Sequence, residues 1–194
     1  MSTTSRGPGL SLGEHDGMLL AVPPRPERNT GVLIRQPDST DLIEGVRIEP
    51  FRLWPDDRGY FLEVIRQGQA MGADLGPGPM QVSSALSYPG TIKAFHYHFE
   101  QTDLWAPVQG QLQVALIDLR GYSDSYGACN TLFIGTLQPW RILIPPGVAH
   151  GYKVIGPDPA VLCYVTNRIY NPGDEGRLAY NDPNLNYDWE TQHK

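Results

Sequence analysis

An all-β domain is the fold class that this sequence predicts, and three observations predict it. Glycine (21) and proline (18) are frequent, which favours many tight turns over long helices. About nine or ten short apolar runs recur at roughly 8–12-residue spacing, the pattern of a β-sandwich or barrel. Several of these runs alternate apolar and polar residues, as half-buried strands do. At 194 residues the chain is long enough for one domain with a sizeable core and short for two.

In chain order, residues 1–41 are rich in Gly, Pro, Ser, Arg and Glu, and Pro8, Pro23, Pro24, Pro26 and Pro37 exclude a long helix. They are expected to form an N-terminal arm, extended or partly disordered, that packs on another subunit; Val32-Leu33-Ile34 can supply an edge strand. Residues 42–194 are expected to be the folded domain. Strands are expected at 45–51 (GVRIEPF) and, after the turn Pro55-Asp56-Asp57-Arg58-Gly59, at 60–65. Residues 67–79 are Gly-rich and irregular, with at most a short helix near Ala70. Strand character resumes at 80–86, 92–99, 103–107, 111–119, 130–137, 140–144, 149–155 and 161–170. The tail from Asn171 carries Pro172, Pro183 and Trp189 and is expected to form short helical turns.

Hydrophobic residues (40%) and charged residues (19%) suit a globular domain. A net charge of −6 without any Lys/Arg cluster argues against nucleic acid as the partner. No apolar run reaches the length of a membrane span, and the N-terminus lacks the pattern of a secretory signal, so a cytoplasmic location is expected. Cys129 and Cys163 have no metal spacing and are expected to be buried, reduced thiols.

The chemistry concentrates in two stretches, residues 90–110 (GTIKAFHYHFEQTDLWAPVQG) and 144–152 (IPPGVAHGY), which hold three of the five histidines. His96 and His98 are two residues apart, which on a strand puts both imidazoles on one face. With Asp103 and His150 they make a set that could bind a divalent metal or move protons. Taken alone, His98 would more often be a hydrogen-bonded interior group, Tyr164 a core residue, and Arg58-Gly59 or Asp174-Glu175 a solvated turn. Trp105, Trp140 and Trp189 read as packing, with Trp105 placed to line a cavity mouth.

The spacing Gly90, His96, His98, Asp103, Gly110, followed by Pro145-Pro146-Gly147 and His150, resembles the paired motifs of the cupin superfamily. The resemblance implies a double-stranded β-helix barrel of jelly-roll type, with short helices at the C-terminus of this chain. In that superfamily three histidines and a carboxylate hold Fe, Mn, Ni or Zn, which would make His96, His98, Asp103 and His150 the ligands. Cupin motif one usually has Glu where Asp103 stands, and motif two usually ends in an Asn where Val154 stands.

A closer resemblance runs from about Gly45 to Trp189. DDRGYFLE, GTIKAFHYH, GQLQVALIDLRG, IPPGVAHGY, CYVTNRIYNPGDEG and NDPNLNYDW are similar to segments of the dTDP-4-dehydrorhamnose 3,5-epimerases, which are metal-free dimers. The resemblance implies a homodimer acting on a nucleotide-linked 4-keto-6-deoxyhexose, with no cofactor required. It makes His96 the catalytic base and Tyr164 the general acid. It gives Arg58, Phe61, Glu63, Gln81, Lys93 and His150 to substrate binding.

Four positions depart from that family. Lys93 stands for an Arg, Asp103 for a Lys, and Ile169 for an aromatic; the C-terminal motif whose Asp pairs with the base is expected to be missing. The exchange at Asp103, together with His98, rebuilds a metal-type site, so a divalent metal is a candidate addition. If His96 were a ligand it could not also be the base, and Tyr164 or Glu100 would have to move the proton. Two other classes are carried alongside: a metal-dependent cupin enzyme (oxygenase, isomerase or lyase) on a small polar substrate, and a non-catalytic ligand-binding cupin.

Overall fold

The structure, a computed structural model, describes residues 9–25 and 27–190. The described strands are β1 (Leu10–His15), β2 (Met18–Val22), β3 (Val32–Leu33), β4 (Arg47–Pro50), β5 (Leu53–Asp56), β6 (Gly59–Leu62), β7 (Gln81–Ser87) and β8 (Ile92–His98). They continue with β9 (Asp103–Gln109), β10 (Gln111–Asp118), β11 (Cys129–Gly135), β12 (Trp140–Ile144), β13 (Val148–Ile155), β14 (Ala160–Thr166) and β15 (Glu175–Arg177). Two sheets carry the fold, one in the order β15-β8-β13-β10-β11-β3 and one in the order β4-β12-β9-β14-β7. The hairpins β1-β2 and β5-β6 stand beside them. Pairing is antiparallel except where β3 joins β11.

Strand β10 shows why these residues form layers. Leu112, Val114 and Leu116 point to one face, where they meet Ile142, Ile144, Trp105 and Leu162 of the other sheet. Ala115 and Ile117 point the opposite way, onto Leu20, Val22, Leu185, Tyr187 and Trp189. A strand buried on both faces reads as a near-continuous apolar run, as VALI does here. Each fully buried Leu or Ile of this kind contributes roughly 1.5–3 kcal/mol of transfer free energy. A third cluster, Met71, Leu75, Leu104, Leu143 and Val165, seals the outer face of the five-stranded sheet.

The all-β expectation holds, and the edge strand at residues 32–33 is present. The hydrogen bonding leaves both sheets open and does not close a barrel. The short helices expected in the tail are absent among the described residues, where the single helical piece is a 3-10 turn at Ala70–Ala73. Two features oppose a helix in the tail: Asn186 sits in the left-handed region (φ 46°), and Tyr187 and Trp189 are drawn into the core beside Phe95. Part of the N-terminal arm is a hairpin that buries Leu20 and Val22; residues 1–8 of that arm lie outside the described residues. Both cysteines are free, Cys129 buried and Cys163 half-buried.

Candidate functional site

Between the two sheets lies a cavity of about 390 Å³, lined by His96, His98, Asp103, His150 and Tyr164 among others. Period-two alternation explains most of this convergence. In β9, Asp103 and Trp105 face inward while Leu104 packs on the outer cluster. In β13, His150 and Tyr152 face inward while Ala149 packs on the opposite layer. In β14, Leu162, Tyr164 and Thr166 face the cavity.

Strand β8 needs an irregularity. Its pairing with β13 runs His150↔His96 and then Tyr152↔Lys93, so two steps on β13 match three on β8. This bulge lets Lys93 and His96, three residues apart, both reach the cavity. Gly151 faces the bulge, where a Cβ would lie 2.3 Å from the Ala94 Cβ. Sequence reasoning gave no warning of it.

The histidines lie at different depths. The His96 side chain is 40% exposed and that of His98 7%. His150 is buried, stacks on His98 with ring centroids 5.7 Å apart, and meets the edge of Trp105 at 5.1 Å. His150 Nδ1 lies 2.9 Å from the Val148 carbonyl and donates to it, which turns Nε2 toward Asp103 Oδ2 at 3.5 Å. Asp103 accepts hydrogen bonds from Gln101 Nε2 (2.7 Å) and Trp105 Nε1 (3.2 Å). Gln101 Nε2 also lies 3.2 Å from His98 Nε2.

Burial lowers the pKa of both His96 and His98 below the usual histidine value, and the charge of His150 adds to it. For Asp103 burial pulls upward, but the hydrogen bond and charge of His150, with His98 and Gln101, win and keep it below the usual carboxylate value. This carboxylate is held ionised at the floor of the cavity.

The structure therefore brings His96, His98, Asp103, His150, Tyr164, Gln81 and Lys93 into one cavity. It leaves Arg58, Phe61 and Glu63 outside. Arg58 is exposed and pairs with Asp56, Phe61 packs on Trp54 at the surface, and Glu63 binds Arg66 through Nε (2.8 Å) and NH2 (2.7 Å). Glu100, a candidate proton carrier, pairs instead with Arg168 (2.8 Å) and His15 (3.3 Å).

Asp174 and Glu175 do not form a solvated turn. Asp174 is 8% exposed and accepts the backbone N–H groups of Phe99 (2.9 Å), Glu100 (2.9 Å) and Gln101 (3.0 Å). Glu175 joins the edge of β8 through β15 and places Oε1 4.0 Å from His96 Nδ1. Their partners lie far away in sequence, so no local pattern could have revealed them.

The family model for dTDP-4-dehydrorhamnose 3,5-epimerase matches residues 40–194. The chain is 40% identical over 153 residues to the spore coat polysaccharide biosynthesis protein SpsL of Bacillus subtilis, covering 78% of this chain and 99% of that protein. It is 32% identical to the probable low-salt glycan biosynthesis epimerase Agl13 of Haloferax volcanii, covering 77% and 96%. Among solved structures it is similar to NovW, a 4-keto-6-deoxy sugar epimerase from the novobiocin gene cluster of Streptomyces spheroides. That match has a TM-score of 0.67 and 27% identity, and covers 77% of this chain and 76% of NovW.

Proposed function

The chain belongs to the dTDP-4-dehydrorhamnose 3,5-epimerase family, an isomerase class, and from that premise we propose that it epimerises a nucleotide-linked 4-keto-6-deoxyhexose. The observation that carries the reading is the placement of His96 and Tyr164. They come from different sheets, β8 and β14, and line the same cavity from facing walls. Inverting a carbon centre needs a base on one side and an acid on the other.

A ketone at C4 acidifies the hydrogens on C3 and C5, because the electron pair of the broken C–H bond delocalises onto the carbonyl oxygen. His96 takes that proton, and the Tyr164 hydroxyl gives a proton to the opposite face of the same carbon. His96 turns Nδ1 toward Glu175, leaving Nε2 for the substrate. Lys93 lines the cavity and has no ion-pair partner among the described residues, which suits it to a diphosphate oxygen.

The proposal includes a homodimer. The edge strand β7 exposes Val82 and Leu86, and the hairpin β5-β6 exposes Trp54 and Phe61, an apolar surface suited to a second copy. A second copy would also give Arg58, Phe61 and Glu63 a cavity to reach that their own chain does not offer.

One observation, the buried His98–Asp103–His150 cluster, favours a second reading in which the cavity serves metal-dependent chemistry. The test is incubation with dTDP-4-keto-6-deoxyglucose in deuterated water. Deuterium entering C3 or C5 supports the epimerase. No exchange, with a thermal shift on adding metal but none on adding dTDP, selects the metal enzyme. A shift with dTDP but no exchange selects a binding protein.

A further inference from the structure

We propose that His98, Asp103 and His150 form a three-ligand site for one divalent transition-metal ion at the cavity floor, and that His96 stands outside it. The site does not depend on the epimerase reading, because it rests on the geometry of these side chains alone.

One ring nitrogen of each histidine and one carboxylate oxygen all lie within 4.8 Å of one another. A tetrahedral ion with bonds of about 2.0–2.2 Å holds its ligand atoms roughly 3.3–3.5 Å apart. His150 Nε2 and Asp103 Oδ2 are at that separation already, at 3.5 Å. Closing the remaining gap asks for side-chain movement on the order of an ångström within a fixed backbone.

The direction of the lone pairs matters more than the distances. His150 donates Nδ1–H to the Val148 carbonyl, so Nε2 is the nitrogen aimed at Asp103, and a metal would take the place of the proton between them. On the other side, His98 Nε2 and Asp103 Oδ1 both point at a single partner, the Gln101 amide nitrogen, at 3.2 and 2.7 Å. Two acceptors from separate strands thus converge on one donor, the place a cation would take. Gln101 can yield that place, since its side chain is tethered only by these contacts among the described residues.

The surrounding groups complete the pattern. A metal-bound imidazole usually gives its second N–H to a carbonyl or a carboxylate, which fixes its tautomer. Val148 does this for His150. For His98 the second nitrogen, Nδ1, is buried without a hydrogen-bond partner among the described residues, and Asp174 Oδ2 lies 3.9 Å from it. Asp174 is itself held by three backbone N–H groups, so a small rotation of His98 would complete the pair.

Two imidazoles and one carboxylate suit Zn, Fe, Mn or Ni better than Mg or Ca, and leave open positions for water or a substrate oxygen. Those positions face the cavity, because all three side chains line it. His96 is not among them; its ring centroid is 6.5 Å from that of His150, and its Nδ1 faces Glu175.

The test uses the full chain, purified without an affinity tag, with metal content measured by elemental analysis and by Co²⁺ titration of the chelator-treated protein. The expected result is about one ion per folded chain and a Co²⁺ absorption band of nitrogen–oxygen type. Asp103→Asn and His150→Gln, each checked for fold by circular dichroism, should lose tenfold or more in Co²⁺ affinity, while His96→Asn should keep it. Wild-type protein that is folded yet neither holds metal nor binds Co²⁺ overturns the site. Loss of the ion in His96→Asn as complete as in Asp103→Asn overturns the three-ligand assignment. Solvent exchange on the sugar, read on the metal-free protein, reports separately on the epimerase reading.

Discussion

Tyr164→Phe separates the two halves of the proposed reaction. Among the described residues the Tyr164 hydroxyl makes no hydrogen bond, and the ring packs partly against the main core cluster. Phe keeps that packing and removes only the hydroxyl, so stability should change by less than about 1 kcal/mol. The barrier should change far more. A positioned general acid contributes roughly 10²–10⁴-fold, which at 1.36 kcal/mol per tenfold is about 3–5 kcal/mol of transition-state stabilisation. Proton removal by His96 should survive, because the base and its wall of the cavity are untouched. Two readouts on one sample separate these outcomes: NMR of the C3 and C5 protons in deuterated water for exchange, and chromatography for the inverted product. Exchange should persist within roughly tenfold of wild type while inversion falls a hundredfold or more. If exchange and inversion fall together by the same factor, or inversion stays within threefold, Tyr164 is not the acid on the opposite face.

Three further predictions follow from the same structure. Lys93→Gln should weaken dTDP binding by about ten- to a hundredfold, the loss of one charge-assisted contact, and should reduce the salt dependence of binding measured by calorimetry. Gly151→Ala should push β13 away from β8, since its Cβ would meet the Ala94 Cβ at 2.3 Å and the Lys93 carbonyl oxygen at 2.9 Å. The cost should be about 1–3 kcal/mol in denaturant melts, with a loss of exchange that a neutral change at a surface glycine would not give. Asp118→Asn tests acid stability. The Asp118 carboxylate is fully buried and accepts from Arg120 N (3.0 Å), Nε (2.8 Å) and NH2 (2.9 Å) and from Ser125 Oγ (2.6 Å). Burial would raise its pKa, but the Arg120 hydrogen bonds prevail and lower it. A carboxyl with a depressed folded pKa contributes stability above its unfolded value of about 3.9, and loses it as pH falls through the folded value. The variant should therefore be about 3–5 kcal/mol less stable at pH 7, and the gap should narrow below about pH 4. An equal gap at both pH values would contradict the assignment.

The sequence made the strands legible where alternation is local. Residues 92–99 were expected to be a strand and Ile92–His98 is one; His96, His98, Asp103 and His150 were expected to share a site and do line one cavity. The rest depends on contacts that no window of sequence contains. Asp174 reads as a turn because its chain neighbours are Gly and Glu, yet its three hydrogen-bond donors lie at residues 99–101. The tail reads as helical turns because its residues permit them, yet Tyr187 is pulled into the core by Thr131 Oγ1 at 2.6 Å and Gln113 Nε2 at 3.0 Å. The β8 bulge leaves no trace in the sequence apart from a glycine at 151, and glycines are common in this chain.

Depth distinguishes His96 from His98. A motif read along the chain treats His96 and His98 as equivalent, since both sit on one face of a strand, and so offers His96 as ligand and base together. In three dimensions they differ in exposure, 40% for the His96 side chain and 7% for that of His98. His98 ends beside Asp103 and His150 at the cavity floor, while His96 remains near the mouth with Glu175 behind it. An aspartate at 103 is therefore compatible with either chemistry. A carboxylate at that position can organise the floor, with or without a cation, and in the proposed reaction the histidine above it would serve as the base. The two proposed chemistries compete for residues in the sequence, but the side chains that each would use sit at different depths of the same cavity.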